Sequence, residues 1–493
     1  MAGAMRGTHI LLLALGFSVT SVAASCSSSP VVCVGTACGP DLDGGTSGTV
    51  GPSDGEAGPP TKGPPPGCDP TADAKDAPAC AADDYAIFVD ATSGVDNAPG
   101  TRASPLKTIT AALTKLDGRP RIYVCEGTYP EQVNLTSAVS LFGGFACLGW
   151  QYTGTKSKLA PSATGYALHV SGANGLVISD LDITALDATE PGESSIAAFV
   201  ASSVVTFVRT SITAGRGQPG ASPSRKDPVA VVPTMKGGAG LTGKGGSGAS
   251  NKCTDGTSLG GTGANTNVGG ATAGQPDIGD GKAGTTFADC AAGGSGGGGK
   301  GGSKGNPAMA VTSLGILSST GWQPANGSKG APGTLGQGGG GGGSSAEAAG
   351  GGGGAGGCGG EGGEGGGGGG ASVALLGFQA TLALRGSTLT ASDGGNGGSG
   401  ALGQLGQGFG GGGDPQSGTT QSGCAGGRGG SGGDGGGGGG GSGGVSAAIL
   451  FTGSAPVIDP SSALTTGKAG TAGPGSAGNA GLEGQNDKIV EIK

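Results

Sequence analysis

Asp180 and Asp182 lie two residues apart in the run Ile178-Ser179-Asp180-Leu181-Asp182-Ile183. On a strand that spacing turns both carboxylates to one face, roughly 6.6 Å apart. The alternation predicts Val177, Ser179, Leu181 and Ile183 facing inward. Laying this run over Phe207-Val208-Arg209-Thr210-Ser211-Ile212 sets Arg209 beside Asp180 on a neighbouring strand. Two carboxylates and a guanidinium on one face make a solvated surface with a cross-strand salt bridge. That reading leads, because no third carboxylate has a place beside them. No catalytic residue is therefore assigned; Asp180, Asp182 and Arg209 stand as the weak candidates.

Other motifs with chemical content are thinner. Gly238 to Lys244 nearly spells a phosphate loop, but Gly245 stands where a hydroxyl should meet magnesium. Gly429 to Asp434 begins a G-G-x-G-x-D calcium repeat, yet Gly436 stands where a large apolar residue should plug the coil. Tyr123, Tyr129, Trp150, Tyr152 and Tyr166 could stack on sugars or pack at core edges, and packing is the expectation. His9 and His169 are the two histidines, which excludes His-rich zinc sites and argues against a Ser-His-Asp triad. No resident metal or cofactor is expected. A formal net charge of −8 without a basic stripe argues against nucleic acid as partner.

The elements that would position these residues are short apolar runs separated by glycine. Of 493 residues 122 are Gly, only 34% are hydrophobic and 3% aromatic, too little for one large core. The tails Asp182 to Ala185, Ser211 to Ala214, Thr388 to Ala391 and Ala463 to Thr466 repeat one pattern, and glycine-rich sequence follows three of them. A stacked solenoid with long insertions at one point of its repeat gives that arrangement. Strands are expected at 85–89, 122–124 and 139–142, and a short amphipathic helix near 107–117.

Residues 1–25 read as a secretory signal, with Arg6 before the apolar run Ile10 to Val22. Two cleavages are open: Val22-Ala23-Ala24 suits an ordinary signal peptidase, while Ala23-Ala24-Ser25-Cys26 resembles a lipobox with Ala23 where Leu is usual; the second leads, and makes Cys26 the lipidated residue and outer-membrane lipid its partner. There are 11 cysteines; with Cys26 lipidated the remainder is even, as expected in an oxidising compartment. Local pairing predicts Cys33–Cys38, Cys68–Cys80, Cys125–Cys147, Cys253–Cys290 and Cys358–Cys424. The expected organisation is a tether over 26–82 and rungs over 83–215. A first glycine arm then fills 216–370, a rung 371–391, a second arm 392–444, a rung 445–466 and a tail 467–493. The arms are either disordered or packed as polyglycine helices. Disorder or mixed coil leads, since Gly has no side chain to bury; the strict period of three at Gly426 to Asp434 and Gly359 to Glu364 would let a three-residue helix pack side by side through its bare Gly faces.

Three stretches carry a family resemblance: Gly94 to Thr101, Pro105 to Ile109 and Gly127-Thr128-Tyr129-Pro130-Glu131. They resemble the N-terminal part of the pectin-lyase-like superfamily. With Ile122 to Cys125 and Gly143 to Cys147 the chain looks like Gly-rich, PGRS-like secreted lipoproteins of myxobacteria. The resemblance implies an all-β, right-handed parallel β-helix with a short capping helix. For the superfamily's polysaccharide lyases it implies carboxylates that hold calcium and an Arg that acts as base, here Asp180, Asp182 and Arg209. The function expected first is a non-enzymatic, surface-anchored structural or adhesive lipoprotein. A carbohydrate-binding β-helix comes second and a lyase or hydrolase third. Extracellular polysaccharide and surface proteins are the partners considered.

Overall fold

In the computed structural model residues 62–493 are described, apart from 287–289, 291–293 and 477. The signal segment, Cys26 and the Cys33–Cys38 pair lie outside the described residues. Among those described, no helix is long and apolar enough to cross a membrane.

Three parallel sheets make up the body. The first contains Ala86–Val89, Arg121–Cys125, Ser140–Phe145, Asn174–Ser179, Val204–Val208, Thr381–Arg385 and Val457–Ile458 in that spatial order. The second runs from Thr128–Tyr129 to Ala463–Thr465, and the third from Val133–Leu135 to Ile489–Glu491. From Val133 onward each pass of the chain visits the third, first and second sheets in turn, then stacks on the pass before. Short β-branched and Leu-rich runs suit this plan, because parallel pairing lets each contribute a few inward residues to one continuous core. One cluster of buried residues extends from Ile87 to Phe451.

The register expected for Phe207 and Ile212 is the one observed, with Phe207 beside Ile178 and Ile212 beside Ile183. The next pass comes only after the first glycine-rich insertion. Leu384 nonetheless sits beside Phe207, and Leu389 beside Ile212. Leu375 is flanked by Ala198 and Ile449 in the third sheet. Long insertions at one point of a repeat are tolerated because closure entropy rises only logarithmically with loop length.

At the N-terminal end the helix is shorter than its pattern: Ile109–Leu113, not 107–117. Thr108 Oγ1 caps it, accepting from the Ala111 amide. The Glu131 carboxylate accepts from the Ile109 and Thr110 amides, each at 2.8 Å. The helix ends at its C-cap Thr114, and Asp117 and Gly118, with φ of 45° and 75°, turn the chain beyond it. Tyr129 is buried and donates to the carbonyls of Val89 and Cys125, so the Gly127–Glu131 stretch locks helix and sheets together.

The expected tether ends earlier than residue 82. Ala74, Ala77, Cys80 and Ala81 are buried, and Ala74 and Ala81 belong to an aromatic cluster with Phe88, Tyr123 and Phe142 on the outer face of the first sheet. The Cys68–Cys80 disulfide closes this strap, and Arg121 donates to the Pro70 carbonyl at 2.8 Å. Small alanines gave no apolar periodicity, but they fit flat against the aromatic face that needs covering.

The glycine-rich segments are hydrogen-bonded at every third residue. Amides of Gly354, Gly357, Gly360, Gly363 and Gly366 donate to carbonyls of Gly427, Gly430, Gly433, Gly436 and Gly439. Carbonyls of those same five glycines accept from Gly339, Gly336, Gly333, Gly330 and Gly327. Carbonyls of Cys358, Glu361, Glu364 and Gly367 accept from Gln407, Gln404, Ala401 and Gly398. One segment thus binds three neighbours through its backbone, and buried amides that no side chain could serve find partners. Charged side chains stay at the rim, where Lys226 and Lys329 pair with Glu361.

Two expected disulfides are corrected. Cys253 pairs with Cys358 and Cys290 with Cys424, at sequence separations of 105 and 134, in place of Cys253–Cys290 and Cys358–Cys424. Lateral packing of the glycine segments is the reason, since it makes distant residues neighbours. The hairpin Ser250–Cys253/Gly256–Leu259 lies against the 356–358 segment, with Asn251 Nδ2 donating to the Gly356 carbonyl at 2.8 Å. Cys125–Cys147 and Cys68–Cys80 form as expected.

Candidate functional site

On the outer face of the first sheet, residues of successive strands line up in two columns. One holds Tyr123, Phe142, Ser179, Val208 and Arg385; the other holds Arg121, Ser140, Val177, Thr206 and Ala383. Aromatic rings give way to small side chains midway along the face, and a trough opens where the bulk is lost. Residues 70–74 of the strap form one wall of the resulting cavity, about 750 Å³ in volume. It is open to solvent where Arg385, Gly386 and Ser461 are exposed.

Arg209 stands at its edge, held by two carboxylates. Its Nε and Nη2 reach Asp180 at 2.8 and 2.6 Å. Nη2 also reaches Asp73 Oδ1 at 3.0 Å, and Nη1 pairs with Asp73 Oδ2. Tyr152 adds a hydrogen bond to Asp180 Oδ1 at 3.0 Å. The Asp180 side chain is only 4% exposed, so the expected salt bridge exists but its carboxylate is not on a solvated face. Burial and the charge of Asp180 raise the Tyr152 phenol above its ordinary value. Burial would lower the Arg209 pKa, but hydrogen bonds and charges from Asp180 and Asp73 overcome this and raise it.

Burial works against ionisation of Asp73 as well. Hydrogen bonds from Arg209 and the Lys75 amide, with the Arg209 charge, outweigh it and hold the carboxyl below its ordinary 3.8. A depressed carboxyl contributes stability that is full above the unfolded-state value of about 3.9 and fades as pH falls through the folded value. Asp73→Asn is therefore expected to cost about 1–3 kcal/mol at pH 7. That difference should shrink as pH falls through the depressed folded-state value, where wild-type Asp73 takes up its proton as well. Urea unfolding of both proteins across that range checks it; a pH-independent difference would contradict the assignment.

Asp180 and Asp182 do not share a face, which corrects the expected alternation. Asp180 has φ of 54° and forms the corner between the first and second sheets. Arg209 and Gly386 occupy the equivalent corner of the next two passes, with φ of 48° and 57°. A left-handed residue breaks the two-residue period, so the phase reverses across it. Leu176 and Ile178 point inward before the corner, Leu181 and Ile183 after it. Val177 and Ser179 face the cavity, and Asp182 stands in register with Lys158 and Ser211 on the second sheet. Gly143 makes the Asp180 corner possible, because a Cβ there would lie 2.3 Å from the Asp180 carbonyl oxygen.

Among the described residues, the grouping of three potential ligand atoms is Asp90, Cys125 and Cys147, and both sulfurs are spent in a disulfide. The Asp90 carboxylate is already engaged by Thr92 and Ser93. Tyr123, Tyr129 and Trp150 are buried and pack in the core, while Tyr152 and Tyr166 are half-buried, packed against Phe145 and Phe199. His169 is half-buried and stacks on Phe199 with ring centroids 5.0 Å apart. The phosphate-loop look-alike is a tight hairpin pairing Leu241 with Lys244. Asp434, in the calcium-repeat look-alike, accepts from the Gly406 amide inside the glycine lattice.

The partnership of Asp73 with Arg209 had no sequence signal, because 136 residues separate the two. Arg385 did have one: extending the Ser179–Val208 alignment by one rung places it in the same column.

Comparison with known proteins adds fold-level context. Residues 92–179 match a family described as a protein of unknown function (DUF1565), one associated with parallel β-helix proteins. No curated protein matches the chain. Among solved structures, the GH136 lacto-N-biosidase from Eubacterium ramulus is similar at 14% identity, over 26% of this chain and 27% of that one, with a TM-score of 0.22. The chain therefore spans about a quarter of that enzyme's length.

Proposed function

We propose that this chain is a non-enzymatic structural or adhesive lipoprotein of the cell surface, anchored through lipid on Cys26. In this reading the three-sheet stack is a right-handed parallel β-helix and the glycine segments are a bundle of polyglycine II-type helices. The backbone lattice among residues 327–442, cross-linked by Cys253–Cys358 and Cys290–Cys424, supports it best. Such a lattice gives a stiff, hydrated slab from residues that offer little chemistry. Stiffness and display are what it supplies. Disulfides at such separations belong to an oxidising compartment outside the cytoplasm. Outer-membrane lipid is then the anchoring partner, with extracellular polysaccharide or other surface proteins as the bound layer.

Carbohydrate binding is the second reading, favoured by the cavity on the first sheet. Turnover by Asp180, Asp182 and Arg209 is the third, and it loses ground because Asp182 lies on a different sheet from the Asp180–Arg209 pair.

Metabolic palmitate labelling with a Cys26→Ala control, combined with protease shaving of intact cells, tests the proposal. Label on the wild type alone, with loss of the full-length protein on shaving, is the expected result. An unlabelled protein, or one protected from protease, contradicts it.

A further inference from the structure

The hairpin Gly315–Ser318/Gly321–Pro324 belongs to the first glycine-rich insertion and lies on the outer face of the third sheet. Leu317 and Trp322 are buried there in one cluster with Ile196, Phe199, Val373 and Leu376. At the hairpin's base, Ser442 Oγ lies 2.9 and 3.1 Å from the Leu314 and Ala325 carbonyl oxygens. Its tip rests on Tyr166. The phenol donates to the Thr320 carbonyl at 3.4 Å, and a Cβ on Gly321 would lie 1.9 Å from the phenol oxygen. Gly321 has φ of 117°, so glycine meets both demands of that position. The lead-in from Met309 to Ser313 makes no backbone-to-backbone hydrogen bond and is largely exposed. The far end is therefore held by Leu317, Trp322 and the Tyr166 contact.

His169 sits beside that contact. Its ring centroid is 5.9 Å from that of Tyr166 and 5.0 Å from that of Phe199, and the latter two are 5.1 Å apart. Three rings thus make one platform at the hairpin's tip. His169 Nε2 is buried and has no hydrogen-bond partner. Its neighbours in register are Asn134 and Phe199, and neither their strands nor the hairpin contains an Asp, Glu, Lys or Arg. Tyr166 is the titratable group against it, and burial raises that phenol, which keeps it neutral. A neutral imidazole can leave one nitrogen dry. An imidazolium there carries a second N–H and a charge, with no acceptor for either. Burial alone accordingly holds His169 below its ordinary 6.5.

We infer that His169 makes this hairpin an acid-opened latch: protonation of the ring releases the tip and bares apolar residues on the outer face of the third sheet. Once the hairpin lifts, His169 meets water and regains the ordinary value of about 6.5. The closed form is therefore most stable above that pH, loses stability as pH falls toward the closed-state value, and is least stable below it. Each unit between the open and closed values raises the ratio of open to closed forms about tenfold in acid. On a surface-displayed chain the bared face is an apolar contact made only in acid. That use rests on the function proposed above; the latch itself does not.

Trp322 is 7% exposed in the closed form, and Trp150 is the other tryptophan, so Trp150→Phe leaves the hairpin as the reporter. Its emission is followed on the purified, disulfide-intact protein from about pH 8 to pH 5, the window in which histidine titrates and ordinary carboxylates stay ionised. Emission should move to the red and become severalfold more quenchable by acrylamide as pH falls, and recover on return. His169→Phe, which keeps a ring in the platform, and His169→Gln should each abolish the response. Trp150, read in Trp322→Phe protein, should not respond, because the first sheet stays closed. An unresponsive Trp322, the same response in both His169 variants, or a matching response of Trp150 would each overturn the inference. Surface anchoring through Cys26 is untouched by any of these outcomes.

Discussion

Gly433→Ala is expected to destabilise the glycine lattice by about 3 kcal/mol, the upper part of the range for overpacked interiors. Gly433 is buried, donates to the Thr334 carbonyl and accepts from the Gly360 amide, each at 2.9 Å. A Cβ on it would lie 1.9 Å from the Ser303 carbonyl oxygen, a backbone atom that cannot swing aside. Relief requires one segment to move away, and hydrogen bonds at every third residue on either side go with it. Gly411→Ala is the matched control, since nothing lies within 4 Å of its added Cβ. Its effect should stay within about 0.5 kcal/mol. Guanidinium unfolding with disulfides intact compares the two; equal midpoints would mean that the segments do not pack closely.

Phe207→Ala should cost about 3–5 kcal/mol, as expected for deleting a fully buried ring. Phe207 is 0% exposed and sits between Ile178 of the preceding pass and Leu384 of the pass beyond the first insertion. The cavity it leaves therefore lies at the seam where the chain resumes its stack. Trp150 belongs to the aromatic cluster of the first sheet, and Trp322 to the hairpin Gly315–Ser318/Gly321–Pro324 that covers the third. Phe replacements at each in turn give single-tryptophan reporters on two faces of the stack. Both should show the same fall in midpoint if the passes unfold together. A shift seen by one reporter alone would show that the stack breaks into separate units, as long repeat arrays do.

Residues that repeat were the legible ones. Ile178, Phe207 and Ile212 advertised their register through spacing alone, and the late runs near 372–391 and 445–466 stack where that spacing puts them. Corners were illegible at Asp180 and Arg209. Neither residue type signals a left-handed conformation as glycine does, and only Gly386 in the third pass hints at it. The face on which Asp180 and Asp182 lie was misread for that reason. Cysteine pairing failed where the glycine lattice decides it. Cys253 and Cys290 are near in sequence, but lateral contacts carry each to a different partner, and composition alone says nothing of which segments adjoin. The strap was read as tether because its contribution comes from Ala74, Ala81 and Asp73, each ordinary by itself.

Hydrogen exchange of the intact protein, followed by mass spectrometry at neutral pH, bears most directly on the glycine lattice. Peptides covering 354–369 and 395–413 should each retain a slowly exchanging set of amides, those bonded to neighbouring segments, as protected as the strand Ser372–Phe378, whose partners lie on both sides. Exchange of those glycine peptides within seconds, beside a protected 372–378, would contradict a packed lattice and leave the segments as loose coil.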